Sequence, residues 1–243
     1  MRDTETAWYR LEVEERIGRE PQAIRRMFAG VARRYDLLNR CLSLGQDRRW
    51  RRSLIAAVAD APAGPCLDLA TGTGDIALLL PCPVVGADFC LEMLALGRAK
   101  ARRSARLPGW VAADALGLPF RDRSFAAVTV AFGVRNFSSL TAGLAEIVRV
   151  LAPGGLLGVL EFQRPPVRWK AALHRMWGRW VVAPLGGWLS DDGSAYAYLP
   201  ASMADFPDRS GLQAALRSAG LYVVKGCEFS LGVVGLTVAR KEE

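Results

Sequence analysis

Histidine occurs once in this chain, at His174, no two of its five cysteines form a CxxC pair, and no apolar run approaches the roughly 20 residues of a bilayer-spanning helix. The first two scarcities exclude the common Cys/His metal spacings. The polar opening Met1-Arg2-Asp3-Thr4-Glu5 lacks a secretory hydrophobic region, so the expectation is a soluble, cytoplasmic enzyme. Cys41, Cys66, Cys82, Cys90 and Cys227 are scattered and odd in number, and read as apolar filler in a reducing compartment. Cys66 and Cys90 flank the cofactor loops described below, and packing suits them better than chemistry.

What is present favours a core. The 243 residues are 51% hydrophobic, enough for one α/β domain that carries an insertion. The formal charge of +8 is mostly arginine spread through helical segments, so nucleic acid is not an expected partner. The compact basic block Arg98-Lys100-Arg102-Arg103-Arg106 reads as a solvated helix face.

Residues 1–60 look helical and lie outside the strand rhythm, which makes them a candidate N-terminal lid. From Pro65 onward short apolar runs alternate with helical segments, as in a doubly wound, mostly parallel sheet. The runs are Cys66 to Leu69, Val84 to Ala87, Gly109 to Ala112, Ala126 to Phe132 and Leu156 to Phe162. Ser138 or Ser139 is positioned to cap the helix that follows the fourth run, and Pro153-Gly154-Gly155 to stop it and turn the chain. Residues 163–206, rich in tryptophan, glycine and proline, are too long for an ordinary loop and form a second candidate lid. Two final runs, near Tyr222 to Phe229 and Val233 to Ala239, are too close for a crossover helix and should pair as an antiparallel edge hairpin.

The segment from Asp68 to Asp75 carries Gly72, Thr73 and Gly74 just after the first run, where an open sheet binds its ligand. Gly72-x-Gly74-x-x-Ala77 also satisfies the dinucleotide pattern, with Asp88 able to serve as the ribose acid. A carboxylate at Asp75, at the start of the expected helix, repels a pyrophosphate; S-adenosylmethionine has no phosphate and carries positive ammonium and sulfonium groups. Asp68 and Asp75 therefore favour the methyl donor. Asp88 and Asp114 each close an apolar run, where they suit the ribose hydroxyls and the adenine amine, with the Ala115 N–H available to the ring. Either aspartate also fits a helix N-cap, and Leu91, Met93 and Leu118 fit a purine border or the core equally.

Longer segments carry a resemblance: Tyr35-Asp36-Leu37-Leu38-Asn39 with Ser43-x-Gly45 and Arg48-x-Trp50, the glycine loop, Asp114 to Phe120, Phe132-Gly133-Val134-Arg135-Asn136, Arg149 to Gly155, Leu160-Glu161-Phe162, and Tyr196-x-Tyr198-Leu199-Pro200. Over roughly residues 25–240 the chain resembles the quinone-biosynthesis C-methyltransferases, which methylate demethylmenaquinone or a ubiquinone precursor. The resemblance implies a Rossmann-like class I methyltransferase fold of seven strands, with residues 61–243 as the cofactor domain. It also implies S-adenosyl-L-methionine as cofactor, with family cofactor positions at Thr73, Asp88, Asp114 and Ala115. Ala131 stands where some members have serine, and Asp47 and Thr237 where histidine is common.

The implied reaction methylates a ring carbon of a polyprenyl quinol, foremost demethylmenaquinol, with the ubiquinone-precursor benzoquinol or another hydrophobic phenolic small molecule as the alternatives. Arg135 and Asn136 then stabilise phenolate charge and hold a ring oxygen, while Glu161 handles a proton or serves as a structural cap. Tyr35, Tyr196 and Tyr198 bind the ring or pack in the core. His174, among Trp169, Trp177 and Trp180, reads as part of an amphipathic cap helix rather than the base. An isoprenoid tail and these tryptophans together imply peripheral contact with the inner face of a membrane, and a homo-oligomer is compatible with all of this.

Overall fold

The computed structural model describes residues 21–163, 202–203 and 206–242. Helix α1 (Pro21–Val31) has proline at its first position, where the missing N–H costs nothing. Its Phe28 and Ala29 pack beside buried Cys90 and Met93. A 3-10 turn (Ala32–Arg34) leads into α2 (Tyr35–Leu42) and then α3 (Asp47–Ala57). Trp50, Leu54 and Ala57 share one face of α3, and all three are buried.

The sheet has seven strands in the order β3-β2-β1-β4-β5-β7-β6: β1 (Cys66–Leu69), β2 (Val84–Asp88), β3 (Gly109–Ala112), β4 (Phe125–Ala131), β5 (Leu151–Phe162), β6 (Leu221–Phe229) and β7 (Val234–Lys241). Strands β1 to β5 run parallel; β7 is antiparallel to both β5 and β6. The expected terminal hairpin is present, and β7 is its inner strand. Helices α4 (Leu91–Ala101), α5 (Leu140–Val150) and α6 (Arg209–Ser218) complete the crossovers. Ser139 and Asp208 cap α5 and α6 by accepting from the N–H groups of Ala142 and Gly211.

One core cluster joins α5 and α6 to one face of the sheet through Leu144, Ile147, Leu157 and Leu216; the other joins α3 to the opposite face through Trp50, Leu54, Leu156 and Val238. Glycine at 158 lets α3 approach β5, since a Cβ there would lie 2.5 Å from Leu54 Cδ1.

Three expectations need correction. Residues 71–79 form turns rather than the helix expected after the glycine loop, with i→i−4 bonds only from Leu78 to Gly74 and from Leu80 to Ile76. Left-handed Gly72 and Gly74 on one side and Pro81 on the other leave too little chain for a regular helix. Strand β5 begins at Leu151 rather than Leu156: Leu151 pairs with Phe125, and a register shift with Gly154 at φ +71° absorbs the Pro-Gly-Gly turn. Cys66 and Cys82 are not separate filler but a disulfide with Cα atoms 6.4 Å apart. Parallel pairing of Cys66 with Val84 brings the start of β1 beside the residues preceding β2.

Candidate active site

Strand order reverses between β1 and β4, and the backbone is unusual at both carboxyl ends. Ala70 (φ +53°) and Phe132 (φ +58°) are left-handed non-glycine residues, a conformation that costs on the order of 1 kcal/mol or more and concentrates at functional sites. Gly133 is required there, because a Cβ on it would sit 2.5 Å from Ala70 Cβ.

Beneath this junction the Asp68 carboxylate accepts from Thr71 Oγ1 (2.5 Å), Thr129 Oγ1 (2.8 Å) and the Ala77 N–H (3.1 Å). Burial pushes its pKa up to about 6, against the lowering effect of these three bonds. The sequence reading assigned Asp68 to the cofactor; in the structure its carboxylate ties the glycine loop to the floor of the sheet.

The other side of the loop is ionic. Thr73 Oγ1 donates to Asp36 Oδ1 (2.6 Å) and accepts from Lys100 Nζ (2.8 Å). Lys100 also pairs with Asp36 and with Asp75, the latter at 2.8 Å. Arg51 lies 3.5 Å from Asp75 and pairs with Asp47, which in turn accepts from Ser43 Oγ (3.0 Å). Burial opposes ionisation of Asp75, but Arg51, Lys100 and Arg40 together hold its carboxyl below the usual range. Asp75 is thus matched by protein cations. Asp47, where histidine is common in the resembled family, belongs to this chain of pairs.

Gly74 makes room for packing: a Cβ there would lie 2.4 Å from Trp110 Cη2. Cβ atoms on Gly97 and Gly86 would meet the same indole at 2.6 and 3.2 Å, so three glycines make room for one ring that the sequence reading overlooked. A glycine inside a helix, Gly97 in α4, was the available signal.

Beside the loop lies an open cleft. Leu69, Ala70, Asp88, Phe89, Ala113, Asp114, Ala115 and Leu116 line it from the β1–β3 side, Gly133, Asn136, Phe137 and Ser138 from the β4 side, and Ile24 from α1. Asp88 and Asp114 are its only charged groups among the described residues. Asp88 Oδ2 accepts from the Gly72 N–H (2.7 Å) and Oδ1 from the Cys90 N–H (2.9 Å), leaving further lone pairs. Burial raises its pKa, and the N–H groups of Cys90, Gly72 and Phe89 resist the rise. Asp114 caps no helix; it closes a local turn by accepting from the Leu116 N–H (2.9 Å). Met93 and Leu118 belong to the core, and the apolar walls are instead Ile24, Leu69, Phe89, Leu116 and Phe137. Burial pushes the Cys90 thiol up to about 11, in keeping with packing rather than chemistry.

This lining discriminates between cofactors. A pyrophosphate needs N–H donors and cations; here the Gly72 N–H is directed at Asp88, and among the described residues no Lys or Arg lines the cleft. A cationic sulfonium bearing a ribose and adenine fits two carboxylates and apolar walls.

At the rim, Arg135 and Asn136 occupy a 3-10 turn (Val134–Asn136) after β4. Asn136 lines the cleft. The Arg135 side chain is only 7% exposed, so it is not a surface arginine: Nη1 donates to Glu161 Oε1 (2.5 Å) and to the Phe132 carbonyl (2.8 Å), and the guanidinium lies 5.4 Å from the Phe162 ring centre. Glu161, 2% exposed at the end of β5, also accepts from the Arg135 N–H (3.3 Å). The pair leaves Arg135 Nε buried with no hydrogen-bond partner. Tyr35 stacks edge-on against Phe28 with centroids 6.2 Å apart, and its ring would lie 3.8 Å from a Cβ on Gly72. Ala131 packs in the α3-side cluster, and Thr237 is buried on β7 opposite Val159. Tyr196, Tyr198 and His174 lie outside the described residues.

Comparison with known proteins agrees with this geometry. The model of the ubiE/COQ5 methyltransferase family matches residues 16–241. The demethylmenaquinone methyltransferase of Thermus thermophilus is 47% identical over 202 residues, covering 81% of this chain and 92% of that protein. The ubiquinone/menaquinone biosynthesis C-methyltransferase UbiE of Geobacter sulfurreducens is 38% identical over 235 residues, covering 93% of this chain and 91% of that protein. Among solved structures, magnesium protoporphyrin IX methyltransferase from Synechocystis with bound S-adenosylmethionine shares the fold, with a TM-score of 0.63 at 12% identity over 91% of this chain and 97% of that one. A match this long, on a chain whose cleft suits a sulfonium, places the protein in the ubiE/COQ5 methyltransferase family as an S-adenosylmethionine-dependent C-methyltransferase.

Proposed function

We propose that the protein methylates a ring carbon of reduced demethylmenaquinone. The observation that carries this reading is the cleft itself, acidic and, among the described residues, lined by no lysine or arginine, with Asn136 on its wall and the buried Arg135–Glu161 pair beside it. The names of the relatives in Thermus and Geobacter supply the acceptor class.

Asp88 and Asp114 would hold the ribose and adenine, and Ala115 would offer its N–H to the ring. S-adenosylmethionine supplies an electrophilic methyl group in this site. On the acceptor, a ring hydroxyl would release its proton to water and the neighbouring carbon's electron pair would bond the methyl carbon. The carbon–sulfur pair would stay with the bound donor's sulfur, and loss of the ring C–H proton to water would restore aromaticity. Arg135, fixed by Glu161, supplies positive potential near the developing phenolate, and Asn136 hydrogen-bonds a ring oxygen. Excluding water strengthens both effects, and in-line positioning supplies several kcal/mol.

In this reading residues 1–60 form a lid over the cofactor domain of residues 61–243. Ile24 on the cleft, the bond from Thr73 to Asp36 and the nearness of Tyr35 to Gly72 support it. Residues 163–206 cap the acceptor, with Tyr196 and Tyr198 at its ring. No helix among the described residues is long and apolar enough to cross a membrane, and the enzyme meets its prenylated substrate at a membrane surface from the cytoplasmic side.

An assay offering reduced demethylmenaquinone and the reduced ubiquinone precursor side by side tests the proposal. Product from the naphthoquinol supports it. Product from the benzoquinol alone transfers the assignment to the second reading, which the Geobacter relative's name also covers; product from neither defeats both.

A further inference from the structure

The segment from the 3-10 turn through α3 shows two features that the fold does not require. The first is Leu44. It follows α2 in a left-handed conformation (φ +51°) that suits glycine or asparagine, yet its side chain is 70% exposed. An apolar side chain is held out to solvent at a backbone cost. Leu37, 55% exposed, lies seven residues earlier on α2 itself.

The second feature is charge. Arg33, Arg40, Arg48, Arg49 and Arg52 are all exposed, while the only two carboxylates between residues 33 and 52 are engaged internally: Asp36 by Lys100 and Thr73, Asp47 by Arg51 and Ser43. The exposed charge of this segment is therefore of one sign, with two leucines among it. Basic groups around protruding apolar side chains match an anionic lipid surface, where arginine meets phosphate and leucine enters the acyl boundary. Nucleic acid would use the arginines but not the leucines.

We propose that α2 and the turn at Leu44 form a docking surface for the anionic phospholipid bilayer from which the acceptor is drawn. The proposal rests on the quinol reading for its purpose, and adds which face turns to the membrane. Tyr35 and Asp36, at the start of the same helix, adjoin Gly72 and Thr73, so a docked α2 places the cofactor loop beside the lipid.

The test is flotation of the full chain with vesicles of phosphatidylcholine alone or mixed with phosphatidylglycerol, without acceptor. Wild type should float with the anionic vesicles and be released by high salt. Leu44→Asn, which suits the left-handed backbone and should keep the melting temperature, should weaken binding about tenfold through loss of the inserted side chain. Combined Arg48→Gln, Arg49→Gln and Arg52→Gln should weaken it by on the order of a hundredfold. Both variants should methylate a short-tailed, water-soluble quinol at the wild-type rate. Equal flotation with neutral vesicles, variants that float like wild type, or duplex DNA bound as tightly as the vesicles would each overturn the proposal. Transfer to the soluble quinol without flotation defeats the docking surface alone; flotation that depends on Leu44 and the arginines, without transfer, defeats the acceptor assignment alone.

Discussion

The two sides of the glycine loop solve one problem in opposite ways. Asp68 on the inner side and Asp75 on the outer side are both aspartates that fix the loop to its surroundings. Asp68 is surrounded by two hydroxyls and one N–H with no cation in contact, so burial dominates and its carboxyl holds a proton to about pH 6. Asp75 faces Lys100 and Arg51 and is driven the other way. Anchorage by neutral hydrogen bonds is short-ranged and indifferent to salt; anchorage by ion pairs near solvent is salt-sensitive and readily reopened. The side fixed to the sheet is the rigid one, and the side fixed to α2 is the one suited to release.

Breaking the inner side should have the largest effect. Asp68→Ala leaves the Thr71 and Thr129 hydroxyls and the Ala77 N–H without their acceptor in the core, at about 3–5 kcal/mol, or a melting temperature lower by about 10 °C in scanning calorimetry. A loss below about 1 kcal/mol would show that the inner bonds do not anchor the loop.

The next effect is a pH dependence. An acid whose folded pKa is raised binds more protons folded than unfolded, so its contribution to stability is greatest below the unfolded value of 3.8 and is lost as pH rises towards about 6. Wild type should lose up to about 3 kcal/mol relative to Asp68→Asn across that window. Asp88 shifts in the same sense but is common to both proteins, so subtraction removes it. The Asp75 contribution runs oppositely: it is present above 3.8 and is lost as pH falls through its depressed value. Denaturant melts of the two proteins between pH 4 and 6 make the measurement; a constant difference would contradict the burial of Asp68 as a protonated group.

Gly74→Ala should cost about 2 kcal/mol, through its left-handed backbone (φ +81°) and its clash with Trp110. In a Trp110→Leu background the clash disappears, and a double-mutant cycle should show at least about 1 kcal/mol of coupling. Additive effects would separate the glycine from the indole. The smallest stability effect belongs to Lys100→Met. Its partners are about one-third exposed, so the loss should be about 1 kcal/mol or less and should fade in high salt. The Michaelis constant for S-adenosylmethionine should nonetheless rise several-fold, because Thr73 and α2 lose their common tie.

The strand rhythm was legible because buried parallel strands leave short apolar runs in the sequence, and the cap at Ser139 because it depends on neighbours within four residues. Of the cleft, Asp88, Asp114 and Ala115 were legible from their places at strand ends, and Asn136 through the resemblance carried by Phe132 to Asn136. What escaped depends on contacts distant in sequence. Gly97 and Trp110 look unrelated until α4 lies on the sheet, and Lys100 read as one of a row of solvated charges although it ties Asp36 to Asp75. The loop helix failed for a local reason, since two left-handed glycines and Pro81 outweigh the apolar pattern of Ile76, Ala77 and Leu80.

The inner position of β7 has a consequence for the protein as it is made. Strand β6 is synthesised before the strand it pairs with, and β5 waits on residues 234–241 for one of its two neighbours. Until these emerge from the ribosome, the apolar strand Leu156–Phe162 presents an open edge, the arrangement most prone to pairing with another chain. The nascent protein therefore carries its greatest risk of aggregation just before β7 emerges, when the other six strands of the sheet already exist.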